Sequence, residues 1–103
     1  MNKNVKPIFE ALLSHLETFD KIEVSYLKTC VQVKKRSTVL SIRQKKDCLE
    51  LEFQLDREDD FFPVFKCQRI SKNRILHRVA LGELSDFDQQ IKIWIKGAYQ
   101  LIK

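Results

Sequence analysis

The chain has 103 residues, 19 of them basic and 14 acidic, for a net charge of +5, and 44% of its residues are hydrophobic. That length accommodates one domain, residues 1–103, which buries roughly 65% of the surface its unfolded chain exposes and so builds a core without staples. The balance excludes a disordered or collagen-like chain, and no apolar run approaches the roughly 20 residues that a membrane span needs.

The first residues, Met1 to Pro7, include lysines but no apolar stretch and no small-residue cleavage site, so no signal peptide and a cytoplasmic location are expected. From Lys6 to about Phe19, Pro7 suits the start of a helix. Ile8, Phe9, Leu12, Leu13, Leu16 and Phe19 then recur at spacings of three and four. After Phe19 the period drops to two. Ile22, Val24 and Tyr26 alternate with polar residues, as do Val31 and Val33, then Thr38, Leu40 and Ile42, then Leu49, Leu51, Phe53 and Leu55.

Inward residues must oppose inward residues, because a slip of one reverses every side chain. Tyr26 opposite Val31, Val33 opposite Thr38 and Ile42 opposite Leu49 satisfy this rule with four-residue loops, which predicts a four-stranded antiparallel meander. In this register Arg43 lies diagonal to Glu50, and Val39 and Cys48 point outward. The stretch from Asp56 to Asn73 is irregular: an acidic loop (Asp56, Glu58, Asp59, Asp60), then Phe61 to Phe65 interrupted by Pro63, then an edge strand near Val64 to Arg69. Ile75, His77, Val79 and Leu81 form one face of a further strand that Gly82 ends. Ser85 is read as the N-cap of the last helix, with Asp86 and Asp88 in its first turn. Phe87, Ile91, Trp94, Ile95, Ala98 and Ile102 make its apolar stripe. The expected fold is α+β: an antiparallel, meander-like sheet of five or six strands with the N- and C-terminal helices packed on one face.

Several segments resemble domain-of-unknown-function family 5655. They are Lys28-Thr29 through Leu49-Glu50-Leu51-Glu52-Phe53, His77-Arg78-Val79-Ala80-Leu81, Leu84-x-Asp86-Phe87-Asp88, and Trp94-Ile95-Lys96-x-Ala98-Tyr99. The resemblance covers nearly the whole chain. It departs at Lys34 to Ser37, where the family often has a glycine, and from Asp56 to Asn73. It implies no established activity; nucleic-acid binding is the role suggested for such domains.

The residues offer little for catalysis. Cys30, Cys48 and Cys67 are odd in number and widely spaced, with neither histidine at a ligand spacing, so free thiols, no metal and no cofactor are expected. Glu50 and Glu52 share one strand face but lack the acid-x-Lys arrangement of a restriction-type nuclease, and read as carboxylates opposite basic neighbours. His77 falls on the packed face and reads as a hydrogen-bonded core histidine. With only Gly82 and Gly97 as glycines, no phosphate-cradling loop is available. No catalytic residues, and no enzyme, are expected.

Charge is the unusual feature. From Lys28 to Lys46 there are seven basic residues (Lys28, Lys34, Lys35, Arg36, Arg43, Lys45, Lys46) and no acid, and Phe61 to Gly82 adds Lys66, Arg69, Lys72, Arg74 and Arg78. Basic loops suit phosphate backbones, so the expectation is a small binding domain that contacts DNA or RNA through Lys28, Lys34, Lys35, Arg36, Arg43, Lys45, Lys46, Arg74 and Arg78. The alternative is a protein-interaction or homodimerisation module that uses the open face of the sheet, with no membrane partner in either case.

Overall fold

The computed structural model describes residues 3–102. Helix α1 spans Lys6–Leu16 with Pro7 in its first turn, and ends earlier than the apolar period suggests: Glu17 caps it, and Thr18 and Phe19 lie in the following turn. Six strands follow: β1 (Glu23–Tyr26), β2 (Val31–Lys34), β3 (Thr38–Gln44), β4 (Leu49–Leu55), β5 (Val64–Ser71) and β6 (Arg74–Leu81). A 3-10 turn, Leu84–Asp86, leads into helix α2, Gln89–Leu101. The strands form one antiparallel sheet in the order β1-β2-β3-β4-β6-β5. The first four make the meander; β6 then enters beside β4, and β5 becomes the edge. The fold is the expected α+β arrangement.

The inward faces are those that alternation predicts, yet two registers differ. Tyr26 opposes Val31 as expected. Ile42 opposes Leu51 rather than Leu49, and Val31 opposes Ile42 rather than Leu40. Each slip is by two residues, so the faces are kept while the hairpins change length. Arg43 consequently stands directly opposite Glu50 instead of diagonal to it.

Val39 is a correction. Leu40 pairs with Val33 and Thr38 pairs with Lys34, which leaves Val39 as the extra residue of a β-bulge. The bulge turns its side chain inward, and Val39 is 2% exposed within the core cluster.

The second correction is the cap of α2. Ser85 lies within the 3-10 turn; Asp88 is the N-cap, its Oδ1 accepting from the Ile91 N–H at 3.1 Å. Asp86 braces the preceding chain by accepting from the N–H groups of Gly82 (2.8 Å) and Glu83 (2.9 Å).

Ile8, Leu12 and Leu16 of α1 and Ile91, Trp94, Ile95 and Ala98 of α2 share one core with Leu40, Ile42, Leu51, Phe53, Val79 and Leu81. Both helices therefore lie on the same face of the sheet. Gly97 lets α2 settle against β4, since a Cβ there would stand 3.2 Å from Leu55 Cδ2. No helix among the described residues is long and apolar enough to cross a membrane.

Candidate nucleic-acid interface

The basic residues separate according to the ends of the strands. Leu27 N–H donates to the Cys30 carbonyl and Lys45 N–H to the Cys48 carbonyl, each at 2.9 Å, so the β1–β2 and β3–β4 connections close as tight turns. Their tips project from the same end of the sheet, because β1 and β3 run the same way. Lys28, Lys45 and Lys46 thereby converge on one cleft of about 520 Å³. Phe9 of α1, Leu27, Val31, Ile42 and Leu49 supply its apolar wall, and Thr29, Cys30 and Gln44 its polar one. No acidic side chain lines it, although Asp47 sits exposed at the adjacent tip.

The other predicted residues are placed differently. Lys34, Lys35 and Arg36 lie at the opposite end, about 20 Å away along β3 at roughly 3.3 Å per residue. Lys35 is engaged there: its ammonium lies 4.0 Å from the centre of the Tyr99 ring and donates to the Tyr99 carbonyl at 3.3 Å, tying the β2–β3 hairpin to α2. Lys34 faces Glu23 across the ladder. Arg74 borders a shallow groove at that same end with Ser37, Thr38 and Ile102.

Between the ends, the open sheet face is a polar row of cross-strand neighbours: Ser25, Gln32, Ser41, Glu52 and Arg78. Arg78 Nε donates to Glu52 Oε1 at 2.7 Å, so this arginine is held by a carboxylate. Arg43 and Glu50 form the neighbouring row. Both glutamates thus stand against basic residues, as the sequence suggests. The nine predicted residues do not form one surface; three of them share a cleft.

His77 is fully buried beneath the helices, as its alternation predicts. Its Nε2 accepts from the Asp59 N–H at 3.0 Å, which leaves Nδ1 to donate to the Ile75 carbonyl at 2.9 Å. Those partners specify the neutral ring protonated at Nδ1. Burial holds its pKa below the ordinary histidine value, against opposing contributions from the Ile75 carbonyl and the Asp59 charge. The Asp59 carboxylate meanwhile accepts from Trp94 Nε1 at 2.8 Å and pairs with Arg57 at 2.9 Å. The imidazole stacks on Phe53 at 5.6 Å. Both ring nitrogens are committed, so the group binds the acidic loop to the core. Cys30, Cys48 and Cys67 are free thiols, and no three His, Cys, Asp or Glu residues converge as a metal site among the described residues.

Sequence reasoning missed Phe9, Leu27, Thr29 and Cys30 as neighbours of the lysines. A helix meeting two turns across a sheet end leaves no spacing in the sequence; the one available signal was Leu27, an apolar residue in a loop between two alternating strands, and it is 50% exposed in the structure.

A family model described as "Domain of unknown function (DUF5655)" matches residues 1–102, so the chain belongs to that family. No curated protein and no solved structure matches the chain.

Proposed function

We propose that this family member is a non-enzymatic cytoplasmic domain that binds nucleic acid, with the cleft of Lys28, Lys45 and Lys46 as the contact surface. The observation that carries the reading is the convergence of lysines from two separate turns on one cleft that no acid lines. Ammonium groups there take backbone phosphates without reading sequence. The apolar wall of Phe9 and Leu27 accepts an unpaired base, which favours single strands over duplex. The rival, a dimer or interaction module on the open sheet face, has less in its favour now that Val39 belongs to the core and the face carries paired charges.

Titration of labelled single- and double-stranded DNA and RNA at 50 and 200 mM salt tests this. Three phosphate contacts with a single strand predict a roughly 20-fold loss of affinity across that range. Joint Lys28→Glu, Lys45→Glu and Lys46→Glu substitution abolishes binding, whereas Lys34→Glu with Arg36→Glu leaves most of it. Absence of binding at 50 mM, or binding that the first set leaves unchanged, removes the reading.

A further inference from the structure

A second cleft lies at the same end of the sheet, toward the β5 edge, where Leu81 of its lining pairs with Leu49 of the first, yet its chemistry is opposite. The segment from Phe61 into the start of β5 carries Phe61, Phe62 and Phe65, which are 51%, 92% and 55% exposed. Three phenylalanines left this open within five residues are not explained by packing, although Phe61 also touches Trp94 with ring centres 5.5 Å apart. They form one wall of a groove of about 510 Å³ whose other wall is the chain leading into α2. The only charged residues lining it are Asp86 and Asp88.

The acidity extends beyond the groove. The loop that leads into the phenylalanines holds Asp56, Glu58, Asp59 and Asp60 against a single Arg57, and Glu83 precedes Asp86. Burial first, then the charges of Asp60, Glu58 and Asp59, hold the Cys67 thiol of β5 above its ordinary pKa, against Arg69. In a chain of net charge +5, the groove itself is lined by acidic and aromatic side chains and by no basic one.

We infer that this groove is a docking site for a cationic peptide segment in which Lys or Arg alternates with apolar residues. The phenylalanines take the apolar side chains, and Asp86 and Asp88 take the cations. Charge excludes the other occupants of an apolar surface. Phosphate backbones and anionic membrane surfaces are repelled by the two aspartates. An isologous contact between two copies of the groove would set Asp86 and Asp88 against the same carboxylates of the partner, and a heterologous contact propagates rather than closes.

The test is fluorescence anisotropy with a labelled dodecapeptide alternating lysine and leucine, alongside glutamate–leucine and lysine–serine counterparts. Phe62→Ala touches a side chain that is 92% exposed and leaves the fold intact. Asp88→Asn combined with Asp86→Asn removes both charges but keeps oxygen acceptors for the N–H groups they serve. The lysine–leucine peptide is expected to bind, at least tenfold more weakly to either variant, and at least tenfold more tightly than both counterparts. No binding, binding indifferent to Phe62→Ala, equal binding of the glutamate–leucine peptide, or Phe62-dependent self-association in sedimentation would each overturn the proposal. Retained binding in the Lys28, Lys45 and Lys46 variant separates it from the nucleic-acid reading.

Discussion

At the scale of single residues, the buried polar group decides most. His77 satisfies both ring nitrogens only as the neutral imidazole, since a second ring proton would face the Asp59 N–H. In the unfolded chain the same residue takes a proton near pH 6.5, about its ordinary value. Its folded pKa is lower, as is that of His15, which burial and then Lys92 depress. The unfolded state therefore binds more protons just below that value, so the stability contributed by the neutral ring is complete above about pH 6.5 and is lost as pH falls toward the folded pKa. The loss is at most about 1.4 kcal/mol per pH unit for each histidine. Urea midpoints should be flat between pH 8 and 7 and should fall from pH 6.5 to 5.5, a range above most carboxylate titration. A constant midpoint down to pH 5.5 would mean that His77 is not held neutral. The burial of His77 was legible from its place in an alternating strand. Its partner was not, because Asp59 lies 18 residues away in a loop with no period to place it.

At the scale of elements, the pattern of faces was readable and the registers were not. Alternation places Leu40, Ile42, Leu51 and Phe53 inward, and they are inward. It cannot distinguish Leu49 from Leu51 opposite Ile42, because both pairings put apolar residues together; turn geometry decides, and the tighter β3–β4 turn prevails. Nor does alternation reveal a bulge, since one extra residue reverses a side chain without altering its neighbours' order. Val39 tests this directly. As a core residue, Val39→Ala should cost about 1–3 kcal/mol in urea denaturation. A solvent-facing valine would give a change within about 0.5 kcal/mol, and that result would place the bulge elsewhere. The cap of α2 was misjudged for a similar reason. Ser85, Asp86 and Asp88 all have capping chemistry, and the choice of Asp88 follows from the 3-10 turn that occupies Leu84–Asp86.

At the scale of the whole molecule, charge is sorted by place rather than merely in excess. The sequence showed an acid-free run from Lys28 to Lys46, but the topology divides it between two ends of the sheet and assigns Lys35 to holding α2. What remains together is Lys28, Lys45 and Lys46 around an apolar wall, with aspartates and phenylalanines in a separate groove at the same end, toward the β5 edge. Such segregation favours two partners of opposite charge over one sheath of solubilising charge. Amide chemical-shift mapping during titration with a short single-stranded oligonucleotide locates the nucleic-acid contact. Shifts are expected only at Leu27–Cys30, Gln44–Cys48 and the turn of α1 around Phe9. Shifts centred on Lys34–Arg36 or on the Glu52–Arg78 row, or no shifts at low salt, would contradict that placement.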